Sequence, residues 1–145
     1  MDHSESLPMD LLLVGDPSED LIEKYLPFSE AFCAKLGETI VGGFLMAPIS
    51  DDELEVKNLS VYPQFQGKGI GMELIKYAIR QARMETYQSL IVKTADVSDH
   101  QIEFYKKLKF EHETTVKGHF IQYYKEPVFE NGKEAVDQLV FRRKL

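Results

Sequence analysis

Three glycines at alternate positions carry the clearest chemical signal in the sequence. Gly67, Gly69 and Gly71 lie between a predicted strand and a predicted amphipathic helix. Glycine lets the backbone approach a ligand closely, and the first turn of a helix offers unpaired amides at the positive end of its dipole. A helix merely started by flexible glycines is the alternative, but three glycines in its first turns need a reason, because each costs up to ~1 kcal/mol at interior positions. The segment predicts an anion site, and a diphosphate suits it best.

The spacing excludes two other phosphate-binding motifs. A Walker-type loop needs a glycine, four residues and then Gly-Lys-Ser/Thr, but Ile70 follows Gly69 here. The dinucleotide fingerprint needs G-x-G-x-x-G, whereas the glycines alternate and Met72 and Glu73 follow the last of them.

The segment resembles the acyl-CoA site of the GNAT superfamily of N-acetyltransferases. That family's signature is Gln or Arg, two residues, Gly, one residue, and Gly or Ala, and Gln66, Gly69 and Gly71 meet it. Residues 59–63 are similar to the family's preceding strand and turn. With the strand, proline and helix in place, the signature becomes specific.

The resemblance continues downstream, where the family has a Tyr-x-Lys-x-Gly-Phe-like helix end. Tyr105, Lys107 and Phe110 match this pattern, while Lys109 replaces the usual glycine. Ser98 stands where family members often have asparagine, and a serine makes fewer hydrogen bonds to the cofactor's amide arm.

The resemblance implies an α/β fold: a single GNAT-like domain with a mixed central sheet of six to seven strands flanked by helices. It also implies acetyl-CoA as acyl donor and an amine of a small molecule or peptide as acceptor. No Ser-His-Asp order suggests a covalent acyl-enzyme, so direct attack in a ternary complex is expected, and no metal is expected. The residues expected to contact the cofactor are Leu59, Ser60, Val61, Gln66, Gly67, Lys68, Gly69, Ile70, Gly71, Met72, Ser98 and Tyr105. Lys106 or Lys107 are further candidates for screening its phosphates.

Acetyl transfer needs a base for the ammonium and a proton for the departing thiolate. Glu55 lies where several relatives carry a glutamate base. The open alternative is that Glu55 is only an exposed carboxylate on a strand. Glu53 is the candidate base instead of Glu55 if the strand register slips. The phenol of Tyr105 is the candidate acid, with a packed core tyrosine as the alternative. A backbone N–H near residues 59–61 would hold the oxyanion if the neighbouring strands splay apart there.

Residues 118–132 are rich in aromatic and acidic side chains, and resemble the tail of a bacterial subgroup of the family. Tyr123, Tyr124, Glu126 and Glu130 are candidates for holding an amine by cation–π or charge contacts. A hairpin with an Asn131-Gly132 turn that only covers the sheet is the alternative.

Composition narrows the function classes. The chain has 145 residues, enough for one domain, and a net charge of −7, which argues against a general nucleic-acid binder. The four histidines show no metal-ligand spacing, and the longest apolar runs are too short for a membrane span. With a single cysteine, Cys33, no internal disulfide can form, so we expect a cytoplasmic protein. A homodimer through an edge strand or the aromatic C-terminal region stays open.

Apolar periodicity and turn residues predict a mixed order of strands and helices. The predicted elements are a frayed tail before Met9, a strand at 9–14, a helix capped by Ser18 up to Tyr25, a hairpin of strands at 30–36 and 39–47, a strand at 54–62 with a bulge near Asn58, a helix at 71–83, a strand at 90–94, a helix to 108, a strand from 110 and a last strand at 138–142. On the strand at 54–62, Leu54 and Val56 are expected on one face and Glu55, Lys57, Leu59 and Val61 on the other.

Two other functions stay open beside the enzyme: a non-catalytic acyl-CoA-binding regulatory module, and a structural protein of the same fold.

Overall fold

The computed structural model describes residues 2–4 and 7–145. Its strands are β1 (Asp2–Ser4), β2 (Glu30–Leu36), β3 (Thr39–Pro48), β4 (Glu53–Val61), β5 (Ser89–Ala95), β6 (Glu111–Val116), β7 (Phe129–Glu130), β8 (Lys133–Glu134) and β9 (Gln138–Lys144). Its helices are α1 (Met9–Gly15), α2 (Glu19–Tyr25), α3 (Ile70–Met84), α4 (Asp99–Lys107) and α5 (His119–Tyr123).

Seven strands form one mixed sheet in the order β1-β2-β3-β4-β5-β9-β6, and β7 pairs with β8 in a separate ribbon. Within the described sheet, β4 and β5 are parallel and the other neighbours are antiparallel. The α/β class and the mixed sheet flanked by helices are therefore confirmed.

Helix α3 packs its apolar stripe on one face of this sheet. Leu74, Ile75, Ala78, Ile79 and Ala82 are all buried, as the periodicity predicted. They form the main core with residues of β3, β4, β5 and α4. A second core beneath α1 and α2 lies on the opposite face. The sheet thus separates two layers, and the sites described below lie on both.

The predicted first strand is wrong, because residues 9–15 form helix α1. Adjacent Leu11 and Leu12 are both fully buried in the second core, and a short apolar run of this kind fits a buried helix as well as a strand. A helix turns both toward β4. Gly15 permits this close approach: a β-carbon there would lie 2.4 Å from Ser60 Oγ and 2.9 Å from the Leu59 carbonyl.

The expectation of a frayed tail before Met9 fails for the part that the structure describes. Asp2–Ser4 pairs with β2 as an edge strand, and Leu7 is buried in the second core. Residues 1, 5 and 6 lie outside the described residues.

The bulge predicted near Asn58 is present, and it overturns the predicted faces of β4. Leu45 pairs with Asn58 but Met46 pairs with Val56, so Lys57 is the extra residue. One inserted residue reverses the alternation. Leu59 and Val61 therefore pack against the main core with Leu54 and Val56, while Glu55 faces the other layer.

Several local predictions hold. Ser18 caps α2 by accepting a hydrogen bond from the Leu21 amide at 3.2 Å, and the hairpin at Gly37-Glu38 is formed. Asn131 and Gly132 have φ of 54° and 75°, so the β7–β8 ribbon is the predicted hairpin. None of the helices in the described part of the chain is long and apolar enough to cross a membrane.

Candidate active site

The glycine turn between β4 and α3 has the geometry of a backbone anion site. Gly67 and Gly69 have φ of 78° and 84°, the left-handed region that favours glycine. Gly71 lies inside α3 with no positive φ, and a β-carbon on it would meet no atom within 4 Å. Neither backbone conformation nor internal packing requires glycine at position 71. A ligand that approaches the backbone would require it.

Gln66 fixes this turn to the end of β4. Its side-chain amide Nε2 donates to the Val61 carbonyl oxygen at 2.9 Å. Gly69 is the N-cap of α3 and no side chain caps the helix, so its first amides lack intrahelical acceptors. The amides are therefore presented at a fixed distance from the strand end.

Strands β4 and β5 part next to this turn. Their parallel pairing runs from Glu53 with Ser89 to Val56 with Val92 and stops there. Beyond that point β4 continues against β3, and β5 continues against β9. The splayed strands on which the predicted oxyanion site depended are present, and the bulge at Lys57 stands where the split begins.

Two backbone amides of β4 point into the split. The Tyr62 amide donates to the Val41 carbonyl of β3 at 3.0 Å. Successive amides of a strand alternate in direction, so those of Leu59 and Val61 point away from β3. This arrangement can place an N–H group beside a developing oxyanion.

Tyr105 lies on the α3 side of the split, within the main core. Its side chain is 4% exposed and its ring contacts Phe104, Phe110 and Phe141. Burial raises the pKa of its phenol, so it stays protonated at neutral pH. A protonated phenol can donate a proton or a hydrogen bond.

Glu55 lies on the opposite side of the sheet and is 5% exposed. Its Oε1 is 3.0 Å from Lys57 Nζ and 3.4 Å from Lys93 Nζ. The carboxylate is therefore compensated by two ammonium groups. Glu53, the fallback base, is held by the Arg142 guanidinium at 2.5 Å.

Ser98 and Glu130, predicted for cofactor and substrate respectively, meet each other. Ser98 is buried at the N-terminus of α4, and its hydroxyl donates to the Glu130 carboxylate. Asn131 Nδ2 also contacts the Val97 carbonyl at 3.5 Å. The β7–β8 hairpin is thus attached to the start of α4, where a carboxylate suits the helix dipole.

The predicted acceptor residue Tyr124 belongs to a polar network that the sequence analysis missed. Its hydroxyl donates to Asp16 Oδ1 at 2.7 Å, and the Tyr25 hydroxyl donates to Asp16 Oδ2 at 3.0 Å. Asn58 Nδ2 donates to the Tyr25 hydroxyl at 3.1 Å, and Ser60 donates to Asn58 Oδ1 at 2.5 Å. The network leads from the split in the sheet to Asp16.

Two further predicted side chains make only local ring contacts among the interactions described. Tyr123 is half exposed and its ring contacts His119 at 5.1 Å. Lys68 lies over the Phe65 ring at 5.9 Å. Asp16 could not be identified as a site residue from the sequence, because 108 residues separate it from its partner Tyr124. The two residues meet only in the folded structure.

Comparison with known proteins identifies the family to which the chain belongs. Residues 5–110 match the model of the Acetyltransferase (GNAT) family. The chain therefore belongs to the GNAT family of acetyltransferases, and the resemblance on the glycine signature is confirmed.

Individual relatives agree over nearly the whole chain. It is 31% identical over 130 residues, 90% of this chain and 84% of the relative, to the uncharacterized N-acetyltransferase YvbK of Bacillus subtilis (strain 168). A GNAT family acetyltransferase from Elizabethkingia anophelis, solved with acetyl-CoA bound, superposes with a TM-score of 0.93 at 35% identity, covering 98% of this chain and 93% of that one. An IAA acetyltransferase from Bacillus cereus ATCC 14579 gives 0.95 at 29% identity, covering 99% and 97%.

Proposed function

We propose that the protein transfers the acetyl group of acetyl-CoA to a primary amine of a small molecule or peptide, by direct attack in a ternary complex. The observation that carries this proposal is Gly71, a glycine that the fold itself does not need. It stands in the first turn of α3 among amides without acceptors, where a diphosphate would lie against the backbone. The related protein from Elizabethkingia anophelis binds acetyl-CoA.

The residues proposed to contact the cofactor are those of the turn, the split and the start of α4. They are Leu59, Ser60, Val61, Gln66, Gly67, Lys68, Gly69, Ile70, Gly71, Met72, Ser98 and Tyr105. The amides of Leu59 and Val61 would face the thioester carbonyl, because they point into the split. Ser98 would contribute through its backbone or after exchanging Glu130, since its hydroxyl already has that partner.

The two proposed catalytic groups approach the split from opposite faces of the sheet. Glu55 would take the proton of the incoming ammonium on the α1 face. The amine nitrogen then attacks the thioester carbon, and the C–S bond breaks as the tetrahedral intermediate collapses. Tyr105, on the α3 face, would donate a proton to the leaving thiolate and regain one from the proton that the attacking nitrogen loses as the amide forms, giving CoA and the acetylated amine.

The experiment that tests the function is a thiol-release assay with acetyl-CoA and a panel of amines. Polyamines, aminoglycosides, amino acids and peptides cover the acceptor classes. We expect amine-dependent release of CoA for at least one class, with an acetylated product seen by mass spectrometry. Release without an acetylated amine would mean hydrolysis and would contradict the proposal.

One observation favours a second candidate, a non-catalytic acyl-CoA-binding module. Lys57 and Lys93 both contact Oε1 of Glu55, as expected for a structural ion pair. Saturable CoA binding combined with no turnover on any amine would favour this candidate over the enzyme.

We further propose that the chain is one N-acetyltransferase domain acting in the cytoplasm, with no nucleic-acid or membrane partner. The exposed edges of the sheet, β1 and β6, are where a homodimer would form by strand pairing. Sedimentation at several concentrations would test the dimer.

A further inference from the structure

Asp16 is a half-buried carboxylate that follows the end of α1. It accepts hydrogen bonds from the Ser18 amide at 3.2 Å and from the hydroxyls of Tyr25 and Tyr124. All three donors are neutral. Among residues 7–145, whose side chains the structure describes, no lysine, arginine or histidine nitrogen lies within the 4.0 Å of an ion pair with it. Within that range its hydrogen-bond donors are therefore neutral and it has no ion-pair partner.

Tyr25, Tyr124 and His119 are among the titratable groups whose pKa responds to Asp16. Burial and then the charge of Asp16 raise the pKa of Tyr25, and burial and then the hydrogen bond to Asp16 raise that of Tyr124. Burial and then the charge of Lys93 lower the pKa of the nearby His119, and the charge of Asp16 opposes them. The hydroxyl ends of two tyrosines thus converge on one carboxylate.

A site of this composition recognises an organic cation. A carboxylate supplies charge, and tyrosine rings attract an ammonium through their faces. The four elements that build the site are the end of α1, the end of α2, β4 and the residue after α5. These elements form the α1 face of the sheet, on which Glu55 also lies. A ligand at Asp16 therefore lies on the side from which an acceptor would enter the split.

The site is separate from the position of the reacting amine. Two hydrogen bonds, through the Tyr25 hydroxyl, separate Asp16 from Asn58 Nδ2. Asn58 is next to the bulge where β4 and β5 part. An acceptor that reaches the split with one nitrogen would need a second cationic nitrogen to reach Asp16.

We propose that Asp16, with Tyr25 and Tyr124, binds a second cationic nitrogen of the acceptor, so that the preferred acceptors are diamines or other dications rather than monoamines. This inference rests on the proposed function, because only an acetyl-transfer reaction has an acceptor amine. The binding of a dication at Asp16 does not depend on turnover and is measured separately.

The kinetic test compares alkyl diamines with monoamines of the same chain length. The probes are 1,4-diaminobutane with butylamine, and 1,6-diaminohexane with hexylamine, each with acetyl-CoA and the full chain. We expect kcat/KM to favour the diamine of one pair by about tenfold or more, mostly through KM. Asp16→Asn, which removes the charge and keeps the shape, should abolish most of that ratio.

The matched control is Asp20→Asn, the same substitution on the neighbouring helix. The Asp20 carboxylate is 69% exposed and pairs with Lys125, so the diamine-to-monoamine ratio should not change. An Asp16→Asn variant that keeps the wild-type ratio, or a wild type without diamine preference, overturns the inference.

The binding test uses the unreactive dication N,N,N′,N′-tetramethyl-1,4-diaminobutane and calorimetry on wild-type protein with CoA. We expect saturable binding, and a crystal structure of that complex with one nitrogen beside Asp16. If the dication binds there but no amine is acetylated, the cation site stands and the proposed function falls. If amines are acetylated but the dication does not bind, or binds away from Asp16, the function stands and this inference falls. The structural arm uses wild type, so it does not depend on how well Asp16→Asn folds.

Discussion

The two faces of the sheet offer different kinds of candidate ligand site. On the α3 face the anion site is made of consecutive residues, and its contacts come from backbone amides and glycines. On the α1 face the polar network joins residues 16, 25, 58 and 124 through side chains. A cofactor site of the first kind can be identified from a short continuous stretch of sequence. An acceptor site of the second kind exists only after four elements have packed together.

The largest effect is expected from removing the proton donor proposed for the α3 face. Tyr105→Phe should lower kcat by about 10²- to 10⁴-fold, because the leaving thiolate loses its proton donor. The affinity for CoA should change little. Stopped-flow or steady-state thiol release measures the rate, and calorimetry measures the affinity. Tyr77→Phe, in the same core, is the matched control. Unchanged turnover in Tyr105→Phe would leave Tyr105 as a packing residue.

A second change tests the base on the α1 face. Glu55→Gln should lower kcat/KM for an alkylamine, with a pKa near ~10.4, by about 10²-fold or more. It should matter much less for an acceptor such as hydroxylamine, which is already neutral at neutral pH. Equal losses for both acceptors would indicate that Glu55 only pairs with Lys57 and Lys93. Glu53→Gln, which removes one of the two carboxylate partners of Arg142, controls for the loss of a strand carboxylate.

A third change tests how closely α1 must lie on β4 to build the acceptor side. Gly15→Ala places a β-carbon 2.4 Å from Ser60 Oγ and 2.6 Å from Asn58 Oδ1. We expect the free energy of unfolding to fall by about 1–3 kcal/mol through overpacking. Thermal melting measures it, with Met84→Ala, a 74% exposed site, as the control. A melting temperature equal to wild type would mean that the two elements separate at little cost.

The smallest effect compares the tyrosines of the two faces by alkaline titration. Their folded-state pKa values are raised above the unfolded value, so stability from Tyr25, Tyr105 and Tyr124 is present below about pH 10 and is lost as pH rises further. Asp16→Asn should lower the pKa of Tyr25 and Tyr124, which its charge helps to raise, and leave that of Tyr105, which burial alone raises. Tyrosinate ultraviolet absorbance follows the titration. An equal shift at Tyr105 would contradict this separation of the faces.

The sequence predicted most of the α3 face because its signals are local. The alternation of Gly67, Gly69 and Gly71 and the periodicity of α3 need no distant partner to be interpreted. The hairpin turns at Gly37 and at Asn131-Gly132 were predictable for the same reason. The bulge near Asn58 was predicted too, but its consequence was missed: it returned Leu59 and Val61 to the core face.

The α1 face was not predictable in the same way. Five of the six residues at 9–14 are apolar and show no long helical period, which predicts a strand. Only the packing of Leu11 and Leu12 selects helix α1. Because a strand is predicted there, the sequence does not indicate that Asp16 lies at the end of a helix. Tyr124 was identified by its aromatic character, but its partner lies 108 residues away.

The most direct test of the central claim is calorimetry of CoA binding to wild type and to Gly71→Val, with Met84→Ala at the far end of the same helix as the control. A side chain at position 71 enters open space and needs no unusual φ, so Gly71→Val should fold with a melting temperature close to wild type. If amides of this turn hold the cofactor's phosphates, Gly71→Val should weaken CoA binding at least about tenfold, or ~1.4 kcal/mol, while Met84→Ala binds as wild type. Wild-type affinity in folded Gly71→Val, or no saturable CoA binding by the wild type, would contradict the account.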